Sequence, residues 1–247
     1  MMEGLREALQ YITGLKEDSM EPKVLEIEGK SYCDKDLKRY HVFDMASELK
    51  VNTLTSVVDY IKGKPEELRH SMILHVKSPT RVELYSGLID ERNREHLMET
   101  NAIVNEFRFD SYYDQERFLI ELQANFLDTE DLQNIKKVSG NIQAGTTANY
   151  DDDGVSQKTT IKSGIANNAD VIVPNPVALR PYRTFAEIEQ PESNYVFRIK
   201  DSESGPAFKL VEADGGLWKN AAMQRIKMYL EHELSDELFK HNITIIA

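Results

Sequence analysis

Apolar residues along the chain recur with two periods, one near 3.6 and one of 2, and these separate helix-forming from strand-forming stretches. Residues 2–16 place Leu5, Leu9, Ile12 and Leu15 on one side of a short amphipathic helix, a form that suits either a packing arm or a partner-binding segment. Residues 17–40 are charged and weakly patterned, with a strand predicted at Val24–Ile27. In VNTLTSVVDYIKGKPEEL, Asn52 or Thr53 can cap a helix whose core face is Leu54, Val57, Val58 and Ile61. Gly63 suits the position just after that helix, and Pro65 prevents continuation. Strands are predicted at Met72–Val76 and Arg81–Leu88, and strand character is moderate from Asn101 to Phe109. In DSYYDQERFLIELQANFLD, Ser111 can cap a helix with Asp114 as its capping-box-like partner, and Phe118, Leu119, Leu122 and Phe126 follow at helical spacing. A further short helix starts at Asp128 or Thr129 and ends near Gly140.

Beyond that point the period changes to 2. Thr146–Tyr150 and Val155–Ile161 flank DDDG, whose Asp153–Gly154 pair is a hairpin-turn signal. Val171–Val173 reads as a short strand with Pro174 and Pro176 stiffening its exit. Asn194–Lys200 and Ala207–Glu212 form a second hairpin around DSESGP, with Tyr195, Phe197 and Ile199 on one side. Trp218, Ala222, Ile226, Leu230 and Leu234 keep i+4 spacing, so a helix follows the glycine pair and runs to about Leu234, and the tail ITIIA is strand-like. The predicted fold class is α+β, with a largely antiparallel sheet, a helical N-terminal third and a β-rich C-terminal half ending in a long helix. One domain over 1–247 is preferred, with 1–140 and 141–247 as possible helix-rich and β-rich lobes.

Charge narrows the partners. A net charge of −12 repels phosphate backbones, so direct nucleic-acid binding is disfavoured. The single cysteine, Cys33, excludes an intrachain disulfide and any multi-cysteine metal site, and as a lone thiol it reads as packing. The first twenty residues lack a long apolar run, so neither a secretory leader nor a membrane span is expected and the expected location is the bacterial cytoplasm.

Candidate chemistry is sparse. NYDDDGVSQKTT fills half of a calcium-loop pattern with Asn149, Asp151 and Asp153, but Thr160 stands where a bidentate glutamate is needed, so a solvated hairpin tip is preferred. His41, His70, His75, His96, His232 and His241 form no zinc-binding spacing, and no phosphate loop or Gly-x-Ser-x-Gly elbow is present. No metal or other cofactor is expected. EADGGLWK has two readings: Asp214, Gly215 and Gly216 opening backbone N–H groups to an anion, or a tight strand-to-helix turn capped by Asp214 with Trp218 packed in the core. The turn is preferred. ALRPYRTFAEIEQPESNYVFRIK concentrates Arg180, Arg183 and Arg198 beside Glu187, Glu189 and Glu192, among Tyr182, Phe185, Tyr195 and Phe197. Arginine forks fit carboxylates and phosphates alike, so this is a ligand site or an ion-paired corner or interface. The corner is preferred, with the three arginines paired mainly to Glu187, Glu189, Glu192 or Glu212, because enough carboxylates lie nearby.

DDDGVSQKTTIKSGI, VPNPVALRPYRTFAEIEQPES with VFRIK, and EADGGLWK together resemble the YfdQ-like family of phage and prophage proteins, best over 151–219, with an echo in LTSVVDYIK. The resemblance implies a bacteriophage setting and a non-virion accessory role, and it carries over no catalytic residue. The reading that follows is a non-enzymatic accessory protein, a homo-oligomer that binds a host protein or a small anionic ligand, with interference with a host defence as its expected purpose. The alternatives are an enzyme of unfamiliar type, with Arg180 and Arg183 on a phosphate and Glu189, Glu192 or Asp214 as acid/base, or an accessory to phage replication or recombination.

Overall fold

The computed structural model describes residues 2–20, 22–35, 46–64, 71–89, 92–142, 149–152, 156–160, 171–202, 205–240 and 242–247. The Asp153–Gly154 turn, Thr146, Pro65, His41, His70 and His241 lie outside the described residues. The chain divides into two compact units, Met1–Met45 and Ala46–Ala247.

The first unit holds helix α1 (Met2–Met20) and an antiparallel hairpin of β1 (Val24–Ile27) and β2 (Lys30–Cys33). The helix runs four residues past its expected end. Glu28 and Gly29 turn the hairpin with φ of 52° and 71°, the left-handed pair that two-residue hairpins require. None of the unit's described residues is buried.

The second unit is α+β and builds two cores. A five-stranded sheet has the order β14 (Ile243–Ile246), β4 (Met72–Ser78), β5 (Arg81–Ser86), β6 (His96–Asn101), β3 (Leu49–Val51). The central three strands form an antiparallel meander, whereas both edge pairings are parallel. Strand β6 ends at Asn101, opposite Arg81 where β5 begins, so the strand expected as far as Phe109 has no ladder partner and stops. Helices α2 (Leu54–Gly63) and α5 (Leu217–Glu233) contribute to the core of this sheet: Leu54, Val57, Ile61, Ile226 and Leu230 are buried with Met72, Leu74, Val82, Leu84 and Met98. The Thr53 side chain caps α2 by accepting the Ser56 N–H at 3.2 Å. Gly63 stays inside the helix; the Lys64 N–H reaches Tyr60 O, and Lys64, not Gly63, takes the left-handed position.

The other core lies under a four-stranded antiparallel sheet, β11 (Val177–Leu179), β12 (Ser193–Ser202), β13 (Gly205–Glu212) and β7 (Tyr113–Asp114). Helices α3 (Gln115–Asn125) and α4 (Glu130–Asn141) cover it, with Phe118 stacked on Phe197 and Phe208 at centroid distances of 5.9 and 5.3 Å. Because Tyr113 and Asp114 pair with β13, the chain stays extended to 114, so Asp114 caps α3 in place of Ser111. Residues 107–142 and 177–210 share this core, so the chain on either side of residue 140 interlocks. A three-stranded antiparallel sheet adds β8 (Asn149–Asp152), β9 (Ser156–Thr160) and β10 (Val171–Pro174), and short α6 (Ser235–Lys240) precedes β14, which lays the apolar tail beside β4 of its own sheet. No described helix is long and apolar enough to cross a membrane.

Candidate functional site

The arginine-rich stretch forms a strap between the two cores. Its start is tied to the end of α3, with Leu127 N–H on Arg180 O at 2.9 Å and Tyr182 N–H on Asn125 O at 2.8 Å. Further on, Phe185 and Ile188 are buried in the core of the five-stranded sheet, and the Thr184 hydroxyl donates to Pro79 O in the turn between β4 and β5. Gln190 fixes the strap internally: its amide oxygen accepts the Arg183 N–H at 3.0 Å and its amide nitrogen donates to Phe185 O at 3.0 Å.

Arg183 is enclosed at the centre. One terminal nitrogen donates to Tyr195 Oη at 2.9 Å and to Glu212 at 2.7 Å, and the other donates to the Ser193 hydroxyl. Trp218 lays its ring 3.8 Å from the guanidinium carbon. Burial pulls the Arg183 pKa down, and Tyr195 and Glu212 oppose that pull. Burial beside the same groups pushes the Tyr195 phenol up. Trp218 does not sit in an apolar core: α5 begins at Leu217, so its first turn puts the indole, half-buried, over Arg183.

The glycine turn closes the other side. Asp214 accepts the Ser193 hydroxyl and, at 2.9 Å, the Gly216 N–H. Burial raises the Asp214 pKa, but the Ser193 and Gly216 bonds with the Arg183 charge outweigh it and the carboxyl lies below its ordinary value. Gly215 and Gly216 have φ of 64° and 78°. The N-terminus of α5 is thus served by a carboxylate of the chain itself, which takes the place that a bound anion would hold.

The outer half of the stretch is more open. Arg180 reaches Glu189 at 2.7 Å and Glu192 at 3.2 Å, all three substantially exposed, and Arg225 of α5 donates to Glu189 O at 2.9 Å. Tyr182 is 43% exposed beside them. Among the described residues no arginine pairs with Glu187; it accepts the Thr55 N–H at 3.1 Å in the first turn of α2. Arg198 lies on the face of β12 opposite Tyr195 and Phe197, across from Lys209. The structure therefore gathers Arg183, Asp214, Gly216 and Trp218 into one cluster, sets Arg180, Tyr182, Glu189 and Glu192 at its rim, and places Arg198 apart. Ser193, Tyr195 and Gln190 complete the cluster without having been candidates.

A second charged cluster surrounds Glu83. On the face of the five-stranded sheet away from its core, Glu83 is 2% exposed. It receives Tyr85 Oη at 2.7 Å, Lys77 at 3.0 Å and Arg81 at 2.6 Å, while His75 stands 3.9 Å away. His96 stacks on Tyr85 at 4.7 Å and meets Glu48 at 2.6 Å. Alternation in RVELY and LHVKS puts these polar residues on one face, but alternation does not reveal that they would bury a carboxylate.

Against known protein families, curated proteins and solved structures, the chain matches none.

Proposed function

We propose that this chain is a non-enzymatic phage accessory protein that self-assembles and binds a host partner or a small anionic ligand in the infected cell. The observation that carries the reading is the bare apolar surface of the first unit. Leu5, Leu9, Ile12 and Leu15 of α1 are each between 51% and 64% exposed, and Val24, Leu25, Ile27 and Tyr32 of the hairpin are exposed as well. Most of the stability of a protein helix comes from packing its apolar face rather than from propensity, so the bare stripe of α1 calls for a cover. Leu5, Leu9 and Ile12 follow the four-three spacing of a coiled-coil seam, and Leu15 widens that seam to a bundle face. A second copy presents the same stripe, which makes a closed symmetric bundle the economical cover.

The strap supports binding over catalysis. Its buried arginine spends its terminal nitrogens on internal acceptors, and Asp214 occupies the mouth of α5. Of the two arginines in the strap, Arg180, in exposed pairs worth little in water, is the one that can exchange its carboxylates for an incoming anion. Interference with a host defence is the purpose that a phage setting suggests.

Light scattering of the purified full chain tests the assembly. A mass that is a multiple of one chain, reduced to one chain by Leu9→Glu with Ile12→Glu, supports it; the mass of one chain at micromolar concentration for the unaltered protein refutes it.

A further inference from the structure

A cavity of about 620 Å3 opens beside β7, between the 106–112 loop and the first turns of α3, well within the size range of ligand pockets. Much of its charge is already spent. Asp114 accepts the Arg117 N–H at 2.8 Å as the helix cap. Arg117 pairs with Glu121 at 2.5 Å, and the other oxygen of Glu121 accepts the Asn125 amide at 2.7 Å. The N-terminus of α3 is therefore closed, and Arg117 is held along the helix.

Two charged side chains of the lining remain without a hydrogen-bond or ion-pair partner among the described residues, one of each sign. The Arg108 guanidinium and the Glu106 carboxylate both line the cavity and both are exposed. Neither side chain has an ion-pair or hydrogen-bond partner among the described residues, although they stand two positions apart. The loop that carries them is pinned, because the Arg108 N–H donates to Tyr113 Oη at 2.8 Å. Phe107, between them, is buried against Phe126 with ring centroids 5.0 Å apart, which anchors the backbone. The cavity wall is aromatic, with Tyr112 held under Lys200 and Lys209 at 4.0 and 5.0 Å and Tyr113 alongside. Burial pushes the Tyr113 phenol up, so its hydroxyl stays available as a donor at neutral pH.

We propose that this cavity binds a short zwitterionic peptide, its carboxylate on Arg108 and its ammonium on Glu106. An anion alone would leave Glu106 without a partner, and a cation alone would leave Arg108 without one; a ligand with both charges satisfies both groups. The reach agrees: two residues span at most about 7 Å of chain, so the Glu106–Arg108 spacing and the distance between the termini of a dipeptide are of the same order. Arg108 suits the carboxylate because its planar fork takes two oxygens at once. Tyr112, Tyr113 and the Ser111 hydroxyl are left to meet the side chains and the central amide. The proposal is independent of assembly, since it uses only second-unit residues.

Isothermal titration of the full chain with the alanyl-dipeptides, one at a time, tests it. At least one should bind in the millimolar range or tighter, and N-acetylation and C-amidation of that peptide should each weaken binding about tenfold or more. Glu106→Gln should erase the difference between the free and acetylated peptide, and Arg108→Gln the difference between the free and amidated peptide. Both substitutions change exposed side chains, so melting temperatures equal to the parent's are expected. Absence of binding by every dipeptide overturns the proposal, as does binding that neither substitution alters. Inorganic phosphate competing for the cavity with dependence on Arg108 alone also overturns it, in favour of a plain anion site.

Discussion

Glu83 shows how much a single side chain can hide. Burial alone would raise its pKa, yet bonds from Tyr85 and Lys77 with the Arg81 charge hold it at about 2. Burial, with the hydrogen bond to Glu83 and the Glu83 charge, pushes Tyr85 up to about 12. A carboxyl depressed in the folded state stabilises above its unfolded pKa, near 4.5, and that contribution is lost as pH falls toward 2. The shift is worth on the order of 3 kcal/mol. Chemical denaturation at pH 7 and at pH 3 should therefore show an acid-linked loss, which Glu83→Gln diminishes while lowering stability at pH 7. Equal slopes of stability with pH in parent and variant would assign the acid sensitivity elsewhere. The glycine pair makes a second residue-scale prediction. Gly215 and Gly216 both hold positive φ, where a β-branched side chain is strained, so valine at either should cost roughly 1–3 kcal/mol. Unchanged midpoints in both variants would refute it. The turn was legible from two glycines after an acidic residue; the burial of Glu83 was not, because its partners come from β4 and β5 together.

At the scale of elements, the strap of residues 180–192 joins two cores and positions a helix. Removing Arg183 leaves Glu212 and Tyr195 without their shared donor in an enclosed site, so Arg183→Ala should cost about 3 kcal/mol. Arg180→Ala loses only exposed pairs and should cost less than about 1 kcal/mol. Equal melting temperatures for the two variants would remove the distinction between core and rim. Glu187 gives an independent measurement: it accepts from the first turn of α2, so Glu187→Ala should destabilise by about 1 kcal/mol, whereas Glu192→Ala should not. The local cap of α2 was readable from Thr53, since capping acts within three residues. Its second acceptor lies 132 positions away, beyond any local pattern. Likewise the sequence implied that the arginines would pair with Glu187, Glu189, Glu192 or Glu212, without saying which takes which. Arg180 takes Glu189 and Glu192 within its own segment and Arg183 takes Glu212 on β13, a division that the hairpin register makes.

At the scale of the whole molecule the two units rest on different physics. The second unit buries two apolar clusters, from Leu54 to Ile245 and from Phe107 to Leu210, and has the means to fold by its own core. The first unit has no buried described residue, and its apolar stripe is complete only when another surface covers it. The amphipathic helix was plain from its periodicity, but periodicity says only that one face is apolar, not whether the chain or a partner covers it. The tail ITIIA illustrates the same limit, for its pattern says only that it is strand-like, and the fold sets it beside β4. If assembly resides in the first unit, residues 46–247 expressed alone should be monomeric by light scattering, yet unfold with the midpoint shown by the second unit in the full chain. Leu9→Glu with Ile12→Glu in the full chain should match that mass behaviour without altering the midpoint, because neither residue supports a core of its own unit. Helicity of α1, read by circular dichroism, should then fall together with the mass as the full chain is diluted, since a helix that relies on its cover loses both at once. A truncated chain that keeps the assembled mass would move the interface to the second unit and leave α1 to a different partner.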